Sequence, residues 1–299
     1  MLGVIGDIVQ DVVVWLQEPV RPATDTRSEI TMTRGGSAAN VAAFAGTRYP
    51  TRFIGCVGDD LAGVTLTREM ESHDVDVRCQ VADSTGMIVV LINDQGERNM
   101  FPSRGASGQL RSIDPQWLDG IELLHITGYS LQGDPTAASV IEAAQTVKAQ
   151  GKMLSFDVSS TGMIDFFGID RFKDLMRELR PDFVSANEDE TKYMDLANGD
   201  EPGDFLADLP GTTLLARAGK DATKVFTEGK LHAVVPVRPV KNPRDMTGAG
   251  DAFNAGFLAS YLRHRDVVRA TEDGHALARR VLYSPGATEP REGELTEDN

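Results

Sequence analysis

Residues 253–262 are apolar on nearly every face of a helix, and a helix of that kind has to be enclosed on all sides. This segment is therefore expected to be the central, buried helix of the fold. Its approach is unusual: Asp245-Met246-Thr247-Gly248-Ala249-Gly250-Asp251 places three small residues and an acid just before it. A small-residue turn feeding a helix N-terminus offers free backbone N–H groups and the positive end of the helix dipole, which suit an anion. Asp251 is then an acid set where a negative ligand belongs. The conflict resolves if its carboxylate takes a proton from a nucleophile that attacks a phosphate. As a plain first-turn acid it would contribute only a few tenths of a kcal/mol to about 1 kcal/mol, and that role leaves Gly248, Ala249 and Gly250 together unexplained.

The rest of the chain supplies the enclosure. From residue 123 onward, strand-like and helix-like runs alternate: strands at 123–126, 153–157, 183–185 and 213–216, helices at 135–149, 172–179 and 188–196. A hairpin at 224–236 turns around Glu228-Gly229, and helices at 252–262 and 267–283 close the chain. Earlier come strands at 2–6 and 53–57 and helices at 38–47 and 61–72, with 9–17 either extending the first strand or starting another. Such alternation predicts an α/β fold, doubly wound, with a mostly parallel central sheet and helices on both faces. Two β-rich stretches interrupt the pattern, one at 28–33 and a hairpin at 87–102 around Asp94-Gln95-Gly96-Glu97. They are expected to form a small β-sheet lid over the strand ends. The tail from Thr288, rich in Glu and Asp, is expected to fray.

Charge narrows the partners. The 299 residues carry a formal net charge of −15 without a Lys/Arg-rich run, so a nucleic-acid backbone is repelled. No apolar stretch approaches the roughly 20 residues of a membrane span, and the opening Leu2-Gly3-Val4-Ile5-Gly6 lacks the basic region of a signal peptide. A cytoplasmic protein is expected, with Cys56 as a packed core thiol and no disulfide framework.

Three further groups can carry chemistry. Gly35-Gly36-Ser37-Ala38-Ala39-Asn40 permits close backbone approach to a ligand, although a turn capped by Ser37 explains it equally well. Asp11 sits among β-branched residues, on an exposed strand face or in a site. Asn187-Glu188-Asp189-Glu190 reads as a capping box, and also as a pair that organises a magnesium-bound phosphate through water. Asp60, in Gly58-Asp59-Asp60, is read as a helix cap.

Taken in order, Gly35-Gly36-x-x-x-Asn40, Asn187-x-x-Glu190 and Asp245-x-Thr247-Gly248-Ala249-Gly250-Asp251-x-Phe253 resemble the ribokinase (PfkB) family of carbohydrate kinases, and Pro285-Gly286-Ala287 fits as well. The resemblance implies one ribokinase-like kinase domain over residues 1–299, with lid segments at about 12–34 and 84–104. It implies transfer of the ATP γ-phosphate to a hydroxyl of a sugar or sugar-like molecule, with magnesium. By position, Asp251 would be the catalytic base and Gly248, Ala249 and Gly250 the anion hole. Asp11, Gly35, Gly36 and Asn40 would bind the acceptor, and Arg104 could reach it. Asn187, Glu190, Arg217, Gly219 and His275 would face the nucleotide, with Glu190 toward magnesium through water. Backbone near Asp245 and Gly286 would hold a monovalent cation such as K+, and lid strands could pair in a homodimer. Val9 and Ser37 stand where ribokinases proper carry Asn and Lys, which points away from ribose itself. A nucleoside kinase of the same family and a non-catalytic sugar- or nucleotide-binding relative are the alternatives. A dinucleotide oxidoreductase fits poorly, since Gly6-Asp7-Ile8-Val9 lacks G-x-G-x-x-G.

Overall fold

All four residues of the first strand, Leu2–Ile5, are buried, as a strand covered on both faces requires. Leu2 and Val4 point into one apolar cluster and Ile5 into the other, the period of two that a strand imposes. The computed structural model describes residues 1–95 and 97–290. Among these, the central sheet has nine strands in the spatial order Lys230–Val235, Thr223–Thr227, Thr213–Ala216, Phe183–Ala186, Met153–Asp157, Leu123–Thr127, Leu2–Ile5, Thr51–Val57, Val75–Val81. The seven from Thr213–Ala216 onward are mutually parallel, and the other two add an antiparallel hairpin. Helices Thr136–Ala149 and Ile169–Leu179 bury their apolar sides against one face, and Ser37–Gly46, Ala249–His264 and Val267–Val281 against the other. The expected doubly wound α/β architecture is what the chain adopts.

The helix Ala249–His264 buries ten residues, from Ala252 around the full circumference to Leu262. Phe257 packs edge-on against Phe183 of the sheet, with ring centroids 5.3 Å apart. Burying a side chain of this size stabilises the fold by roughly 1.5–3 kcal/mol, which offsets the weak amphipathicity that would leave such a helix undirected on a surface.

A second sheet stands apart. Its order is Ser28–Gly35, Val9–Leu16, Gly86–Ile92, Arg98–Ser103. The middle pair is parallel and both outer pairs are antiparallel. Residues 9–17 thus begin a new strand in a different sheet and do not extend the first. Gly96, in the expected hairpin turn, lies outside the described residues.

Several expectations need correction. Ser37 does not cap its helix: Gly36 holds the N-cap position, and the Asp7 carboxylate accepts from the backbone N–H of Ser37 at 3.0 Å and of Ala38 at 3.2 Å. An acid from a neighbouring strand end supplies the cap, so the serine hydroxyl is available elsewhere. The edge strand Val75–Val81 and the short helix Thr161–Phe167, capped by Ser160, were not anticipated. The first alternates apolar and polar residues at every step from Val75 to Val81, a strand signal present in the residues, and the second is shorter than two full turns. The helix after Asn187 stops at Tyr193, because Asp195 turns left-handed (φ 55°). Asp60 caps as expected, accepting from Gly63 N at 2.8 Å. The acidic tail lies outside the described residues from 291 on. Glu289 before it is held, bonding Arg48 twice at 2.8 Å and Arg280 at 3.0 Å.

Candidate active site

Sequence order sets the location. From Leu2–Ile5 the chain builds outward through Thr51–Val57 and Val75–Val81, then returns to the other flank with Leu123–Thr127. In open α/β sheets, ligands bind beyond the strand C-terminal ends at such a reversal. Polar residues collect there: Asp7 follows the first strand, Tyr129 follows Leu123–Thr127, and Asp157, Asn187 and Arg217 lie at the ends of the next three. A cleft of about 700 Å³ opens over these ends, lined in part by Ser37, Tyr129, Asp157, Glu190, Arg217 and Asp251. A similar hollow of about 720 Å³ adjoins it on the far side of His275 and Arg279. Asp251 lines the first of the two.

Asp251 is grasped from the helix Ser37–Gly46. Its Oδ1 accepts the Ser37 hydroxyl at 2.7 Å, and its Oδ2 accepts Nδ2 of Asn40 at 2.9 Å. Burial pushes its pKa up to about 7 and the nearby Asp157 and Asp7 carboxylates push the same way, against the pull of the two hydrogen bonds. A carboxyl group poised near neutrality can both hold and release a proton.

The turn ahead of it is shaped for an anion. Gly248 is left-handed (φ 77°), and a Cβ there would come within 2.5 Å of the Ala287 Cβ. Among the described residues the N–H groups of Gly248, Gly250 and Asp251 find no backbone acceptor, whereas Ala249 N–H turns back to the Met246 carbonyl at 3.3 Å. The free donors are therefore Gly248, Gly250 and Asp251, with Ala249 differing from expectation because it closes the turn. Asp245 braces this turn from behind. Its Oδ1 accepts from Thr247 N at 2.9 Å, Thr247 Oγ1 at 2.8 Å and Arg98 Nη2 at 2.8 Å, and its Oδ2 accepts from Gly286 N at 2.9 Å. These donors hold its carboxyl below the usual range despite burial.

On the opposite wall, Asn187 and Glu190 form the expected capping box. Both Glu190 oxygens are engaged, by Asn187 N at 2.8 Å and Nδ2 at 2.6 Å. Burial, with Asp157 nearby, pushes the Glu190 pKa up. Arg217 lies across Gly250, 3.5 Å from Asp157 Oδ1 and over the Phe253 ring at 5.7 Å. Its buried Nε has no partner among the described residues. Gly219 and His275 also line the cleft, and His275 Nε2 lies 2.8 Å from Thr223 Oγ1.

The acceptor-side residues lie beside this cleft, toward the second sheet. Asp11 packs against Gly35, and burial raises its pKa to about 6, helped by Asp7 and opposed by Arg34. Gly36 (φ 95°) lies against the Asp7 carbonyl, where a Cβ would be 2.6 Å away. Arg104 is half-buried and donates to the Tyr129 carbonyl at 3.2 Å. The predicted residues thus form two groups that meet at Asp251, while Asp245 and Gly286 stand behind the turn. Asp7, Ser37, Asp157 and Arg34 had no site role in the sequence reading. For Asp7 and Asp157, the signal was an acid directly at a strand C-terminal end. Among the described residues no cluster of three or more His, Cys, Asp or Glu side chains is placed to hold a metal.

A parallel sheet with a buried carboxyl group beside an N–H turn at its switch point is suited to holding a phosphate. Residues 1–293 match the model of the pfkB family carbohydrate kinases. The ATP-dependent ribose-1-phosphate kinase of Halopiger xanaduensis is 32% identical over 278 residues, 89% of this chain and 87% of that protein. The adenosine kinase of Dictyostelium discoideum is 28% identical, over 80% of this chain and 74% of its own. An Escherichia coli protein crystallised with ATP and magnesium superposes with a TM-score of 0.82 at 22% identity, covering 96% of this chain and 94% of its own. The chain belongs to the pfkB family of carbohydrate kinases, which transfer phosphate from ATP to a sugar hydroxyl.

Proposed function

We propose that residues 1–290 act as one kinase unit in which the four-stranded sheet is a lid, Asp251 is the general base and the acceptor is a sugar or sugar derivative. The observation that carries this reading is the pair of bonds on Asp251. Ser37 donates a hydroxyl to Oδ1 at 2.7 Å, the contact an acceptor hydroxyl would make. In the reaction the acceptor oxygen bonds to the γ-phosphorus as its proton passes to Asp251, and the bond from phosphorus to the ADP oxygen breaks. The N–H groups of Gly248, Gly250 and Asp251 stabilise the charge on the transferring group, and Arg217 adds a cation beside them.

ATP and magnesium fit this site. Glu190 offers a carboxylate whose oxygens are both held by Asn187, which favours contact with magnesium through water. When bound, magnesium would supply charge neutralisation between the β- and γ-phosphates. Potassium belongs to the same reading, at backbone carbonyls of the loop around Asp245 and Gly286, because the Asp245 carboxylate is already occupied by Arg98, Thr247 and Gly286. Arg104 has a single hydrogen bond, and its other donors favour an acceptor with an anionic group, a sugar acid or a sugar phosphate. Exposed Ile30, Met32, Met100 and Phe101 on the lid support a homodimer through that sheet. No helix among the described residues is long and apolar enough to cross a membrane, and we assign the protein to the cytoplasm.

The test is ADP release across pentoses, hexoses, keto-deoxy sugar acids, sugar phosphates and nucleosides. Turnover is expected with a sugar or sugar derivative. Nucleotide binding without ADP formation on any acceptor would favour a non-catalytic relative. With the best acceptor, kcat/KM is expected to rise through pH 7, because the base works only when ionised. Below that it should fall about tenfold per pH unit. A profile flat from pH 5.5 to 8 would remove Asp251 from the role.

A further inference from the structure

Arg34 ends the lid strand Ser28–Gly35 and is 3% exposed, an uncommon place for a cation. Each arm of its guanidinium is used. Nε donates to Asn40 Oδ1 at 3.2 Å, Nη1 to Glu69 Oε1 at 2.6 Å and Nη2 to the Ala287 carbonyl at 3.0 Å. We propose that Arg34 is a positioning residue for phosphoryl transfer: it fixes the Asn40 amide so that Nδ2 faces Asp251, and it ties that orientation to the loop behind the Gly248 turn.

The argument is one of donors and acceptors, and it rests on Asp251 being the base. An amide has one accepting end and one donating end. Asn40 lies between a guanidinium, which only donates, and an ionised carboxylate, which only accepts. One orientation satisfies both neighbours. The flipped one sets the amide oxygen against Asp251 Oδ2 and the NH2 against Arg34, losing two charge-assisted bonds at a residue only 5% exposed. Without Arg34 nothing selects between them, and the carboxylate loses a donor for part of the time. The Ala287 carbonyl extends the effect, because the Ala287 Cβ abuts Gly248 and the adjacent Gly286 N–H holds Asp245.

The charges around this pair come from several elements. Asp251 is faced by Asp7 from the first strand end, by Asp157 from Met153–Asp157 and by Arg34 from the lid strand. Arg34 is faced by Glu69 from Leu61–Ser72, Asp11 from Val9–Leu16 and Asp251. Both carboxylates near Asp251 push its proton affinity up, and the Ser37 and Asn40 donors oppose them. Without Arg34 to hold the Asn40 donor in place, the acid limb of the rate profile moves to higher pH.

The experiment is a kinetic cycle on the full chain with the acceptor found by the screen: wild type, Arg34→Met, Asn40→Ala and the double variant. Arg34→Met is expected to lower kcat at pH 7 on the order of tenfold with little change in the KM for ATP, and to raise the acid limb by about one pH unit. Rate then returns at pH 8.5, which a misfolded protein would not show. In the Asn40→Ala background the same substitution should change kcat by less than about twofold, since its route is gone. Arg34→Lys keeps the charge without the fork and is expected to recover part of the loss. If Arg34→Met does not fold, Arg34→Lys carries the same cycle. Losses that multiply, or an acid limb that stays in place, would overturn the proposal. Asp251→Asn in the same assay separates the two ideas: normal turnover there removes the base, whereas an inactive Asp251→Asn with multiplying losses removes only Arg34.

Discussion

Replacing Asp251 with asparagine is expected to lower kcat by about 10²- to 10⁴-fold, the range a general base contributes, and to leave nucleotide affinity within about threefold. Asparagine keeps the shape of the side chain but cannot take the acceptor's proton. One of its ends would present an NH2 to a neighbour that now donates, either the Ser37 hydroxyl or the Asn40 amide. The residues proposed to face the nucleotide, Asn187, Glu190, Arg217 and Gly219, make no hydrogen bond to Asp251, so nucleotide binding should be spared. Single-turnover phosphoryl transfer and an equilibrium nucleotide titration check the two halves. Unchanged turnover would sink the assignment.

The second large effect is expected from Gly248→Ala. The residue is left-handed, which costs an L side chain about 1–2 kcal/mol, and the new methyl would sit 2.5 Å from the Ala287 Cβ. Either the Pro285–Ala287 loop retreats or the turn does. If the turn moves, the N–H groups lose their aim, for which a loss of about 10²- to 10³-fold in kcat is expected. Thermal unfolding should fall by roughly 2–4 °C for each kcal/mol. Adding Ala287→Gly removes the Cβ contact but leaves the backbone Cα of residue 287 at 2.9 Å and the strained φ, so it should restore only a small part of the activity and little of the backbone cost. Full activity in Gly248→Ala alone would mean that the turn does not hold the phosphate.

Much of this was legible in the residues. The helix Ala249–His264 is buried all round, as its apolar residues required, and Gly248 to Asp251 marked a small-residue turn at its start by composition alone. Asn187 and Glu190 were readable because a capping box is local, complete within four residues. What escaped was long-range. Ser37 looked like a cap, and only the approach of Asp7 across the switch point frees its hydroxyl for Asp251, 214 positions later. Arg34 is a charged residue in a lid strand until the fold buries it against Asn40, Glu69 and Ala287. No local pattern encodes such contacts, since they depend on which strand lies next to which. Val75–Val81 is a different case: apolar residues at 75, 77, 79 and 81 alternate with polar ones, so this strand was legible in the local pattern.

The Arg98 contact carries a consequence of its own. This guanidinium reaches from the strand Arg98–Ser103 to Asp245 at 2.8 Å and Thr247 at 3.0 Å. The same aspartate steadies Gly286 with its other oxygen, so one carboxylate serves both the covering sheet and the phosphate turn. Loss of the Arg98 contact would withdraw a cation from Asp245 and leave that carboxylate with fewer donors. The side chain of Arg98 is 38% exposed, so counter-ions can compete for its partner over the roughly 8 Å that charge reaches at physiological salt. The turn ahead of Asp251 is thereby braced in part from the far edge of the second sheet.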